Sequence, residues 1–195
     1  MKHIRSVHIF LLELVLFLFV NGCFSDRPSG PSSKQPALRV GVRKVLRSQD
    51  GSIQITLPKG WKEDKDLHDD AVLQASDRLT EKYVIVLSDS KEDFEEMSLA
   101  KHSEITRGSI LEGLSSPQVT GPAELTINGS PAIQYEIRGG TENIKVVYFH
   151  TTVETSGMFY QVLAWTLKSR FEKNKSDLQE VTNSFQESAT APSSK

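Results

Sequence analysis

Apolar positions recur every second residue over much of the chain, the spacing of half-buried strands rather than helices. Leu38, Val40 and Val42 alternate with Arg39, Gly41 and Arg43, and Ile53, Ile55 and Leu57 alternate with Gln54 and Thr56. Asp50-Gly51 is a tight-turn pair between them, and Pro58-Lys59-Gly60 closes the second strand ahead of Trp61. Glu63 to Asp70 is polar and reads as a loop; Ala71–Ala75 and Tyr83–Leu87 read as two further strands. Met97 to Leu114 changes period: Met97, Ala100, Ile105, Ile110, Leu111 and Leu114 gather toward one side of a helix. Val119–Ile127 and Ala132–Ile137 flank Asn128-Gly129, a strong hairpin signal. Gly139-Gly140 starts the next turn, Ile144–Val153 and Met158–Leu167 form a second hairpin across Ser156-Gly157, and Phe171, Leu178, Val181 and Phe185 mark a closing amphipathic helix. Strands with two helices and no strict alternation predict an α+β layered fold with a mainly antiparallel sheet.

The two ends follow other rules. Lys2, His3 and Arg5 precede Ile9–Val20, a run of 12 residues that is apolar except for Glu13. A stable span needs roughly 20 apolar residues, so this run has the length of a signal-peptide core. It ends in Val20-Asn21-Gly22-Cys23, which resembles the lipobox of bacterial lipoproteins. The resemblance implies a signal peptide over 1–22, cleavage before Cys23, and a diacylglyceryl group and an N-acyl chain on that cysteine. Several acyl chains make a stable anchor where one does not. Cys23 is the only cysteine, so an intramolecular disulfide is excluded. Residues 23–37 then join the lipidated cysteine to the domain through a Ser/Pro/Gly-rich linker of roughly 20 Å average reach. The folded unit is expected over 38–186, with a disordered tail over 187–195.

Three segments together resemble the PsbP-like superfamily, which includes PsbP proteins, Mog-type Ran-binding proteins and DcrB-like lipoproteins. They are Ile55-Thr56-Leu57-Pro58-Lys59-Gly60-Trp61, Asn128-Gly129-Ser130-Pro131-Ala132, and Gln161-Val162-Leu163-Ala164-Trp165-Thr166 followed by Phe171 and Ser184-Phe185. The resemblance implies an α/β/α sandwich, a mainly antiparallel sheet flanked by helices. It also implies an accessory or binding role rather than catalysis, and it assigns no functional residue.

Charge narrows the partners. The chain carries a formal net charge of −2, and the leader contributes positive charge, so the mature part is more acidic still. Nucleic acid is therefore not an expected partner, because such affinity rests on phosphate neutralisation. Arg39, Arg43, Lys44 and Arg47 cluster beside the linker, where they suit either anionic headgroups or a charge-guarded edge strand. Phe24 rather than Asp after the cysteine points to outer-membrane delivery, facing the periplasm, if the bacterium has two membranes.

Candidate chemistry is sparse. His68, Asp69 and Asp70, with Asp64 and Asp66 upstream, present imidazole and oxygen donors suited to a divalent cation, although the loop lacks the defined turn of a hard-cation site. Trp61 and Trp165 are either a pair lining a ligand pocket or ordinary core. His150 shares a strand face with Ile144, Val146 and Tyr148, as a ligand or as a hydrogen-bonded histidine. No Gly-x-Ser-x-Gly elbow, His-Glu-x-x-His or phosphate loop is present, so neither a catalytic residue nor a cofactor beyond the lipid is expected. The sequence thus favours a membrane-anchored, non-catalytic domain acting on an envelope protein partner. A small-ligand or metal-binding module is the alternative, and a hydrolase with a spatially assembled triad the third.

Overall fold

A computed structural model describes residues 43–141 and 143–188. The leader, Cys23, the linker and the alternating segment Leu38–Val42 lie outside the described residues, as does most of the expected tail.

Among the described residues, ten strands and two α-helices form three layers. The central layer is a seven-stranded antiparallel sheet in the order β3-β4-β5-β9-β8-β7-β6. Its strands are β3 (Lys62–Glu63), β4 (Leu73–Asp77), β5 (Lys82–Ser90), β6 (Ser115–Ile127), β7 (Ser130–Thr141), β8 (Ile144–Glu154) and β9 (Met158–Leu167). One face is covered by helix α2 (Phe171–Asn183) and a small sheet of β1 (Lys44–Arg47), β2 (Ile53–Leu57) and β10 (Gln186–Glu187). The other face is covered by helix α1 (Leu99–Glu112). This is the expected α/β/α arrangement.

Alternation places every second side chain on one face, so the central strands feed two cores. Val84, Val86, Val147, Phe149, Val162 and Ala164 face α2, where Phe171, Leu178, Val181 and Phe185 meet Ile53, Ile55 and Leu57 of β2. Ile85, Ile137, Val146, Tyr148 and Leu163 face α1. Strands covered on both faces read as nearly continuous apolar runs, as Val146–Phe149 does. Asn128 and Gly129 both take positive φ, 48° and 89°, the backbone that a two-residue hairpin requires.

Several expectations are corrected. Gly139 and Gly140 lie inside β7 rather than in a turn. A Cβ on Gly139 would sit 2.9 Å from Leu114, and one on Gly140 would sit 2.9 Å from Ser115, so these glycines allow close packing. Glu187, the first residue of the expected tail, does not fray: with Gln186 it pairs with β2, and its carboxylate accepts from Tyr160 (3.0 Å) and Thr155 (3.1 Å). The inward face of α1 is only partly the expected one: Ile110, Leu111 and Leu114 meet the sheet. Ala100 and Ile105 are exposed, while His102, Ser103 and Ile110 are buried.

Candidate functional site

The sequence-selected residues are dispersed. Trp61 lies in the α2-side core with Lys82 Nζ 5.8 Å from its ring centroid. Trp165 packs on the α1 side, stacked on Tyr83 at 5.3 Å and beside Tyr148 at 5.9 Å. The two indoles therefore sit on opposite faces of the sheet and do not line one pocket. The acidic loop is committed to its own structure. Asp64 takes two bonds from Arg78 (2.7 and 2.8 Å) and one from Ser76, which hold its carboxyl below its ordinary value. His68 Nδ1 accepts the Asp70 amide at 3.1 Å, and the Gln74 side chain ties the loop to β4. Asp69 and Asp70 are exposed, and no group of three His, Cys, Asp or Glu suited to a metal occurs among the described residues.

His150 leads to the most unusual site of the molecule. It is fully buried on the α1 face of β8, where its ring stacks near Tyr135 of β7 at 6.2 Å. Its Nε2 lies 3.0 Å from the Thr106 hydroxyl, which is itself 3.0 Å from the His102 carbonyl. Thr106 has one proton, and donating it to the carbonyl leaves its oxygen to accept from Nε2–H. The ring is then neutral with a bare Nδ1. Burial pushes His150 down to about 3, and the neighbouring His102 and Arg107 add to the shift.

Around this ring α1 directs a stripe of polar side chains inward: His102, Ser103, Thr106 and Arg107, one helical turn apart in pairs. His102 Nε2 lies 3.0 Å from Asp89 Oδ2, and the ring stacks on Phe159 at 4.5 Å with Phe94 against its edge. Gln161 donates to the same Asp89 oxygen at 3.0 Å. Burial raises the Asp89 carboxyl, but these two bonds outweigh it and leave the group below its ordinary value. The Arg107 guanidinium lies over Tyr135 at 4.7 Å.

Five buried polar atoms here have no partner among the described residues: His102 Nδ1, Ser103 Oγ, Arg107 Nε, His150 Nδ1 and Thr152 Oγ1. Such atoms are uncommon in folded proteins, and each costs about 1–3 kcal/mol. The Asp89–His102 pair has the form of a base with its orienter, but a triad also needs a nucleophile on the second ring nitrogen. Ser103 Oγ and His102 Nδ1 make no hydrogen bond, to each other or to any other described group. What the cluster does provide is a polar, proton-accepting seam between a helix and the sheet.

A second feature lies at the far end of the opposite face. Arg138, Lys145 and Lys168 line a cleft of about 260 Å³ beside β6. It is not legible in the linear sequence, because its three cations come from three separate segments. The α1 stripe had a readable signal: His102/Thr106 and Ser103/Arg107 repeat at helical spacing opposite polar residues set within apolar strands.

Neither a family model nor a curated protein matches the sequence. Solved structures do match in fold. PsbP (CyanoP) of Synechocystis sp. PCC 6803 superposes with a TM-score of 0.53 at 13% identity, over 82% of this chain and 100% of that one. LpqN of Mycobacterium tuberculosis, involved in cell envelope biogenesis, superposes with a TM-score of 0.55 at 14% identity, over 74% of this chain and 90% of that one. The chain therefore has the PsbP-like α+β fold.

Proposed function

We propose that this protein is a bacterial envelope lipoprotein, acylated on Cys23, whose PsbP-like domain is a non-catalytic accessory module acting on a protein partner or assembly. One observation carries the reading: a 12-residue, nearly uncharged leader core closes on Val20-Asn21-Gly22-Cys23 ahead of a Ser/Pro-rich segment. That order is the one a lipid anchor with a tether demands. Two further facts support it. The fold is shared with LpqN, a protein of envelope biogenesis. The Asp89–His102 pair, the best acid–base candidate, is spent on holding α1 and presents no nucleophile. Phe24 favours the outer membrane, facing the periplasm, in a double-membrane cell.

Mass spectrometry of the protein extracted from native membranes tests the anchor. The expected mature chain begins at an acylated Cys23, and Cys23→Ala moves the protein out of the membrane fraction. A native chain retaining residues 1–22, or a free thiol at position 23, would refute the reading. Crosslinking in intact cells tests the accessory role: a reproducible envelope protein partner is expected, and its absence removes the support for that role.

A further inference from the structure

The cleft beside β6 has a consistent chemistry. Its polar walls come from Arg138, Lys145, Lys168, Ser115, Ser116 and Gln118, and no carboxylate is among them. The floor is backbone at Gly139 and Gly140. Every side chain on the wall is a hydrogen-bond donor, and three are cations, on a chain whose formal net charge is −2. The basic character is thus local rather than a property of the whole surface.

Its geometry comes from the fold. β6 and β7 shift register between Ser115 and Gln118, and Ser116 takes a left-handed φ of 49°. A bulge of this kind re-aims an edge strand and is common at functional rims. Ser115 Oγ donates to the Gly140 carbonyl at 3.0 Å, at the place where a Cβ on Gly140 would collide with it. Arg138 is pre-positioned: it is bonded to Glu136 at 2.6 Å and lies over Phe171 at 5.0 Å. Lys145 and Lys168 flank the register pair Val146–Leu167, so the two adjoin at the end of the β8–β9 ladder. Both are exposed, and neither has an ion-pair partner among the described residues. Two like charges side by side repel unless an anion lies between them.

We infer that this cleft binds a phosphate group, with Lys145 and Lys168 as the principal charges and Arg138 and Ser116 as directional donors. Arg and Lys together give the fork and point charge that suit phosphate oxygens. The phosphate is either that of a free phosphorylated compound or that of an anionic lipid headgroup. The site does not depend on the anchor at Cys23.

The test is a nuclear magnetic resonance titration of the ¹⁵N-labelled full chain in neutral detergent. One arm adds inorganic phosphate; the other compares micelles doped with phosphatidylglycerol and with phosphatidylcholine. Saturable shifts are expected at the amides of Ser116, Gly139 and Gly140. Binding in Lys145→Gln/Lys168→Gln is expected to be at least tenfold weaker than in the control Lys59→Gln/Lys62→Gln, whose lysines are exposed elsewhere. Saturation by inorganic phosphate assigns a free phosphate compound, and saturation by phosphatidylglycerol alone assigns a headgroup. Absence of saturable shifts with both probes, or equal binding in the two double variants, overturns the site.

Discussion

α2 and α1 cover opposite faces of one sheet, and different chemistry holds each of them. Beneath α2, Phe171, Leu178, Val181 and Phe185 close on valines, isoleucines and Phe149. Most buried polar groups on that side are matched: Asn174 donates to Thr80 and Thr166, both at 2.8 Å, and Lys82 is paired with Asp177 at 2.6 Å, while the Trp61 indole N–H alone has no partner among the described residues. Beneath α1, the apolar contact is confined to the two ends, Leu99 at the start and Ile110, Leu111 and the following Leu114 at the finish. Between Leu99 and Ile110 the helix sets one histidine, one arginine and two hydroxyls against His150 and Thr152 of β8, and five buried atoms across this seam are unpartnered among the described residues. The apolar covering is expected to be insensitive to mild acid, and the polar one to be weaker and sensitive to protons. Elements that open locally are drawn from such weak contacts.

The largest effect belongs to the apolar side. Phe171→Ala removes a ring that is 1% exposed and should cost about 3–5 kcal/mol in chemical denaturation. A loss below about 1 kcal/mol would show that α2 is not the stronger covering.

Acid comes next and acts on the α1 side. The folded-state value of His150, about 3, lies below its ordinary 6.5. As pH falls the unfolded chain takes up the proton first, so this stability is full above about 6.5 and drains away toward 3. At the limiting slope of about 1.4 kcal/mol per pH unit, roughly 2–3 kcal/mol should be gone by pH 4.5. Asp89, shifted down, adds its own loss only below the ordinary carboxylate range near 3.8. Unfolding curves between pH 7 and 4.5 should therefore slope in the wild type and flatten in His150→Phe. Equal slopes in the two proteins would remove His150 as the cause.

Asp89→Asn weakens the charged bond to His102 and should cost about 1 kcal/mol, a modest figure because the carboxylate side chain is 36% exposed. Thermal melts at pH 7 measure it. The smallest effect has the opposite sign. Ser103→Ala removes a buried hydroxyl without a partner and should leave stability unchanged or raise it by up to about 1 kcal/mol. A clear loss of stability in that variant would mean that the hydroxyl is bonded in solution.

The same contrast decides what the sequence makes legible. Ile53–Leu57 was readable to the residue because its period of two is unbroken, and Met158–Leu167 because it is a nearly continuous apolar run bounded by turn residues. α2 was readable because one of its faces is apolar. α1 was legible as a helix, and Ile110, Leu111 and Leu114 do meet the sheet, but its buried His102 and Ser103 were missed, since periodicity selects apolar residues. Of the candidate site only His150, which enters on an apolar strand, was singled out, although the helical spacing of His102/Thr106 and Ser103/Arg107 was there to be read. Ser115–Gln118 of β6 was missed because an edge segment with Pro117 and two serines has no apolar face to betray it. The glycine pair at 139–140 looked like a turn because one sequence cannot distinguish a bend from close packing, which depends on Leu114 and Ser115 arriving from elsewhere in the chain.

Native-state hydrogen exchange of the helix amides, converted to opening free energies at two pH values, tests the contrast most directly. α1 should open more readily than α2 at pH 7, and the gap should widen by about 1–2 kcal/mol at pH 5 as His150 begins to charge in the open state. Equal opening energies for the two helices, unchanged between the two conditions, would contradict a polar, proton-sensitive seam under α1.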